Sequence, residues 1–123
     1  MWVGGDTEPA FRRVARFGDA FHAAFQPIDE VQASWARIGE LAAEAGRDRS
    51  SLRLSVRLYL DPASSMPPAK SIAGSKEQML DTIGAWQAIG VDHILLDPVA
   101  PGGFAARRQA IETFMTDVAA SIA

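Results

Sequence analysis

The residues of this 123-residue chain that could do chemistry stand mostly at the ends of short apolar runs. Gly4 and Gly5 follow Trp2 and Val3 and precede Asp6, Thr7 and the start of a helical pattern. Backbone N–H groups in such a turn, backed by a helix dipole, suit a phosphate. A tight turn that simply requires glycine would look the same, and Asp6 and Thr7 read equally well as helix caps. Gly18 and Asp19 read as a helix stop, with Gly18 at C′, and the residue after it. Arg57 and Tyr59 occupy the polar side of an alternating run, near its C-terminal end. An Arg there can hold an anion through paired donors or pair internally with Asp97, which ends the last apolar run. His22 follows the start of another run, where an imidazole can serve structure or move a proton near neutral pH. His93 falls early in the last run and reads as structural. The two histidines are far apart in sequence with no ligand cluster around them, so no metal site is expected. No Ser-His-Asp set, P-loop or carboxylate pair stands out, and no catalytic residue is assigned.

Composition removes several classes. With 48% hydrophobic and 22% charged residues the chain has the balance of a globular domain. The absence of cysteine excludes disulfides, zinc-thiolate sites and thiol catalysis. A net charge of −3 argues against nucleic acid as a partner. No apolar run approaches the roughly 18 residues of a membrane span. The opening Met1-Trp2-Val3-Gly4-Gly5 has no secretory pattern, so a cytoplasmic location is expected.

The elements that must position these residues alternate. Trp2-Val3 is a short strand, and a helix starts near Glu8 with Pro9 in its first turn. Residues 20–24 form a second strand. Asp29 is placed to cap a helix whose buried face is Val31, Trp35, Ile38, Leu41, Ala42 and Ala45, closed by Gly46. Residues 52–60 alternate strictly, with Leu52, Leu54, Val56, Leu58 and Leu60 opposite Arg53, Ser55, Arg57 and Tyr59. A long proline- and serine-rich loop, 61–74, separates this strand from a capping box at Ser75-Lys76-Glu77-Gln78. Met79, Leu80, Ile83 and Trp86 then line a third helix that Gly90 stops. Residues 91–96 form a nearly continuous apolar strand, and the last helix carries Ile111, Phe114, Met115, Val118 and Ile122 on one stripe. Four strands each followed by a helix imply an α/β fold with a parallel sheet. Either a small open sheet with helices on both faces, or four units of an eight-unit TIM barrel, satisfies this order.

Several motifs carry a resemblance. The run Trp2-Val3-Gly4-Gly5-Asp6, then Arg12 to Phe21 with Gly18-Asp19-Ala20, is similar to the C-terminal half of the luciferase-like monooxygenase family. Glu44-Ala45-Gly46-Arg47-Asp48, Leu54-Ser55-Val56-Arg57, Gly74 to Gln78 and Gly90 to Leu96 follow in the family's order and spacing. The resemblance covers residues 1–123 as one half-barrel domain, at about the fifth to eighth strand-helix units of a (β/α)₈ barrel. The family's N-terminal half has no counterpart here. The resemblance implies FMN or an 8-hydroxy-5-deazaflavin coenzyme, bound at the C-terminal mouth, and oxidation or reduction of a small organic substrate. It implies cofactor contacts at Gly4, Gly5, Asp6, Gly18, Asp19 and Arg57, and substrate contacts at His22, Tyr59 and Asp97. The family's Gly-Asp-Gly reads Gly18-Asp19-Ala20 here, which narrows any close approach of the cofactor to the backbone.

A half-barrel leaves two strand edges and one sheet face without partners. Closure by a second copy, or by a complementary half-barrel chain, is therefore expected. Three functions follow: a half of a flavin- or deazaflavin-dependent oxidoreductase, a non-catalytic accessory or remnant that self-associates, or a small open-sheet α/β ligand-binding domain.

Overall fold

Leu54, Val56, Leu58 and Leu60 are all at most 1% exposed, and they organise the molecule. The computed structural model describes residues 2–122. These leucines and the valine stand on the outer face of β3 (Arg53–Asp61) and pack beneath the helices. The remaining elements are β1 (Trp2–Gly4), α1 (Glu8–Phe17), β2 (Ala20–Ala24), α2 (Ile28–Glu44), β4 (Ser71–Ala73), α3 (Lys76–Ala88), β5 (His93–Pro98) and α4 (Phe104–Thr113). Phe11 and Val14 of α1, Val31, Trp35 and Ile38 of α2, and Met79, Ile83 and Trp86 of α3 meet that face in one core. Phe114 and Val118, just past α4, complete it. The helices thus cover one side of the sheet, as in a barrel wall, and not both sides as in an open doubly wound sheet.

All strand pairs are parallel. β1 pairs with β2, β2 with β3, and β3 with β5. Their register aligns Gly4 with His22, His22 with Ser55, and Ser55 with His93. One row higher, Ala24 aligns with Arg57; higher still, Tyr59 aligns with Asp97. β4 was not foreseen. Within the loop expected at 61–74 the chain makes a 3₁₀ turn at Pro68–Lys70 and then pairs Ser71 to Ala73 with Tyr59 to Asp61. It takes the edge of β3 that β2 vacates after Ala24. The buried Asp61 carboxylate anchors the loop, accepting from Ser65 Oγ at 2.8 Å and Met66 N at 2.7 Å.

Other expectations shift locally. The third strand runs 53–61 and the last 93–98. Pro27 is the N-cap of α2, with Asp29 inside the first turn, so Asp29 is not the cap. Thr7 is the N-cap of α1, but its side chain makes no capping bond. Gly18 has φ −80°, not the left-handed conformation of a C′ glycine. Its requirement is space: a Cβ there would lie 3.0 Å from Val14 Cα and its carbonyl oxygen. The capping box forms as expected, with Gln78 N donating to Ser75 Oγ and Ser75 N to Gln78 Oε1. The last helix loses regularity after Thr113, passing through a π turn (Phe114–Val118) and a 3₁₀ turn (Ala119–Ser121). Of its expected stripe only Phe114 and Val118 are buried; Ile111, Met115 and Ile122 stay exposed.

Candidate functional site

The polar faces of β2, β3 and β5 point away from the helices onto one concave surface. Register places His22, Ser55 and His93 side by side there. Ser55 Oγ lies 2.9 Å from His22 Nδ1 and 3.2 Å from His93 Nδ1. A hydroxyl carries one hydrogen, so when both rings are neutral it donates to one imidazole and accepts from the other. The two rings then hold opposite tautomers; when the ring that donates to Ser55 takes up a second proton, the hydroxyl can relay its Nδ1 proton to the other ring and leave the first ring neutral. The Trp2 indole spans both, 6.0 Å from His22 and edge-on to His93 at 5.4 Å. Burial holds the His22 pKa below its usual value, with the nearby charges of Arg57 and His93 acting in the same direction. The histidines that looked remote in sequence are joined through a serine that carried no signal of its own.

Toward the C-terminal ends of the strands, Arg57 Nη2 donates to Asp97 Oδ2 at 3.1 Å. Its guanidinium lies 5.3 Å from the Phe25 ring centroid, and Phe25 stacks on Tyr59 at 4.3 Å with a 21° tilt. Phe25 adopts φ +54° as β2 ends, a conformation costly for a non-glycine residue. Its N–H donates to the Arg57 carbonyl at 2.9 Å, which fixes the bend and aims the ring at Arg57 and Tyr59. Arg57 Nε is buried without a partner. Here the pairing of Arg57 with Asp97 is realised, and the same guanidinium keeps unused donor capacity.

Gly4 and Gly5 sit where β1 turns into α1. Gly5 has φ +118°, and a Cβ there would come within 3.0 Å of Ala10 Cβ, so the turn folds tightly over the first turn of the helix. Asp6 beside it is exposed. The Glu8 carboxylate turns aside to Arg37 of α2, at 2.6 Å, and that bond holds its pKa low. The Thr7 side chain makes no capping bond, so the N–H groups of Glu8 and Ala10 carry no side-chain cap and can face an anion, while Pro9 between them has none to offer.

Gly18 and Asp19 belong to the opposite end of the strands. The Gly18 carbonyl accepts from Arg47 Nη2 at 2.9 Å and the Asp19 carbonyl from Arg53 N at 3.0 Å. Arg47 Nη1 also reaches the Val14 and Ala15 carbonyls, closing the C-terminus of α1. The structure therefore gathers Gly4, Gly5 and Asp6 at one end, and ranges Arg57, Tyr59 and Asp97 on the concave face toward that end. His22 lies deeper on that face, and Gly18 and Asp19 stand away from the rest. Trp2, Phe25 and Ser55 are the site residues that sequence reasoning missed.

No family model matches the sequence, and no curated protein matches it. Solved structures do match. Over 98% of its length the chain superposes on 50% of the coenzyme F420 dependent tetrahydromethanopterin reductase from Methanopyrus kandleri, with a TM-score of 0.77 and 13% identity. It is also similar to an F420-dependent secondary alcohol dehydrogenase in complex with an F420-acetone adduct (TM-score 0.74, 14% identity, 97% of this chain and 48% of that one). A riboflavin lyase with modified FMN and riboflavin matches at TM-score 0.76 and 14% identity, over 98% of this chain and 42% of that one. The chain thus spans about half the length of the structures it matches, or somewhat less. It has an α/β fold with a parallel sheet, that of half a TIM barrel. Among the described residues no helix is long and apolar enough to cross a membrane.

Proposed function

We propose that the chain is the C-terminal half of a flavin- or deazaflavin-dependent oxidoreductase acting on a small organic substrate. The observation that carries this reading is the βα turn at Gly4-Gly5. It presents the uncapped first turn of α1 at the end of the sheet where TIM barrels place their sites. Matched structures described as F420-dependent or as holding FMN support it. The residues there suit a phosphate-bearing cofactor: Gly5 keeps side-chain bulk out of the turn, α1 offers backbone donors, and Glu8 is drawn away by Arg37. FMN or the deazaflavin would supply hydride or electron transfer when bound. The chain's own residues would hold the phosphate at Gly4, Gly5 and Asp6. Arg57 would offer a cation above the floor, and Tyr59 and Asp97 polar groups to the substrate. His22 would hold or accept a proton through Ser55. Gly18 and Asp19 have no part in this proposal, because their carbonyls serve the turn into β2.

Titration of FMN, and separately of a deazaflavin coenzyme, followed by fluorescence quenching, tests the reading. Saturable binding in the micromolar range is expected, weakened at least tenfold in Gly5→Val. Absence of binding up to millimolar cofactor would leave the non-catalytic accessory reading in its place.

A further inference from the structure

We infer that two copies of this chain close one eight-stranded barrel, each β1 pairing in parallel with the β5 of the other copy. The inference deepens the functional reading, since a closed mouth would surround the cofactor, but it stands on separate observations. Among the described residues, β1 pairs only with β2 and β5 only with β3, so each carries one free edge. Every large apolar side chain that stays clearly exposed lies in the first or last unit. Trp2 and Phe17, 54% and 67% exposed, belong to β1 and α1. Leu95, Phe104, Ile111 and Met115 belong to or follow β5 and α4, with Ile122 beyond them; Phe104 is 76% exposed. The two middle units expose none. A surface that were merely tolerant of apolar residues would scatter them.

The amount is also that of an interface. With about 150–250 Å² for a whole aromatic side chain, Trp2, Phe17 and Phe104 alone leave roughly 300–500 Å² of apolar surface per chain, and the four aliphatic side chains bring the total toward the ~800 Å² that a standard interface takes from each partner. The occupant follows from the strands. β1, β2, β3 and β5 make four parallel barrel strands, and the chain spans 50% of an eight-unit structure that it matches. A two-fold axis along the barrel keeps all strands parallel and creates two identical β1–β5 seams, so one operator covers both apolar flanks and both free edges. It also faces the two concave surfaces toward each other.

The chain has no cysteine, so single cysteines can report the seam. Sedimentation equilibrium of the cofactor-free protein should give twice the 13.2 kDa chain mass at micromolar concentration. Phe104→Asp, exposed in the single chain, should keep its circular dichroism and dissociate at least tenfold more readily. A mixture of Trp2→Cys and Leu95→Cys chains should cross-link with a short bismaleimide far more than either variant alone. A monomer at 100 times micromolar concentration, an open polymer, or Trp2→Cys chains linking mainly to one another would each overturn the proposal. Flavin binding by a monomer would sink the closure and spare the oxidoreductase reading; a dimer that binds no flavin would do the reverse.

Discussion

Ser55 is 1% exposed and its hydroxyl serves two imidazoles at once. Alanine would leave both Nδ1 atoms facing a methyl group, so Ser55→Ala should cost about 1–3 kcal/mol in denaturant unfolding, as expected for a buried polar network that loses its centre. The same variant should move the His22 titration when it is followed by NMR. His22 gives the row a pH dependence whose sign is fixed. Its folded pKa lies below the usual 6.5, chiefly through burial, so the unfolded chain takes up the proton first as pH falls. The stability contributed by neutral His22 is therefore complete above 6.5 and declines as pH falls from there toward the lowered folded value. His22→Gln should flatten that part of the curve in urea midpoints taken between about pH 7.5 and about pH 5. An unchanged slope would place the titration elsewhere.

Elements show why some of this was legible and some was not. Local patterns were readable: the alternation in β3, the capping box of α3 and the helical stripe of α2 each need only a few neighbouring residues. The His22-Ser55-His93 row was not, because it exists only once three strands, separated by 33 and 38 residues, fall into register. β4 hid in a proline-rich loop, and nothing in the sequence marks Phe25 for positive φ. Arg47 stood in a recognisable motif, yet its work lies across the chain, at the end of α1. Its guanidinium donates to three carbonyls at the end of α1, those of Val14, Ala15 and Gly18, the first of which also accepts from Gly18 N. Arg47→Ala should lower stability by about 1–3 kcal/mol. Lysine, with one compact ammonium group in place of a planar fork, should recover only part of it. Full recovery by lysine in thermal unfolding would mean that charge alone matters there.

At the scale of the whole molecule, the proposed closure predicts a stability that depends on association. Among the described residues a single chain leaves one edge of β1 and one of β5 unpaired, with large apolar side chains exposed on both flanks. If folding and closure are linked, the folded population gains from mass action, and each tenfold rise in protein concentration adds about 1.4 kcal/mol per mole of dimer. For a domain of this length that should raise the thermal midpoint by several degrees, on the order of 2–8 °C per kcal/mol per domain. Differential scanning over two decades of concentration measures this directly. Phe104→Asp should reduce the concentration dependence while changing the midpoint of the dilute protein little, because that side chain touches few neighbours within its own chain. A midpoint that stays constant across the range would show that the half-barrel's outward core, from Val14 to Val118, sustains the fold on its own. The exposed flanks would then need an explanation other than closure by a second copy.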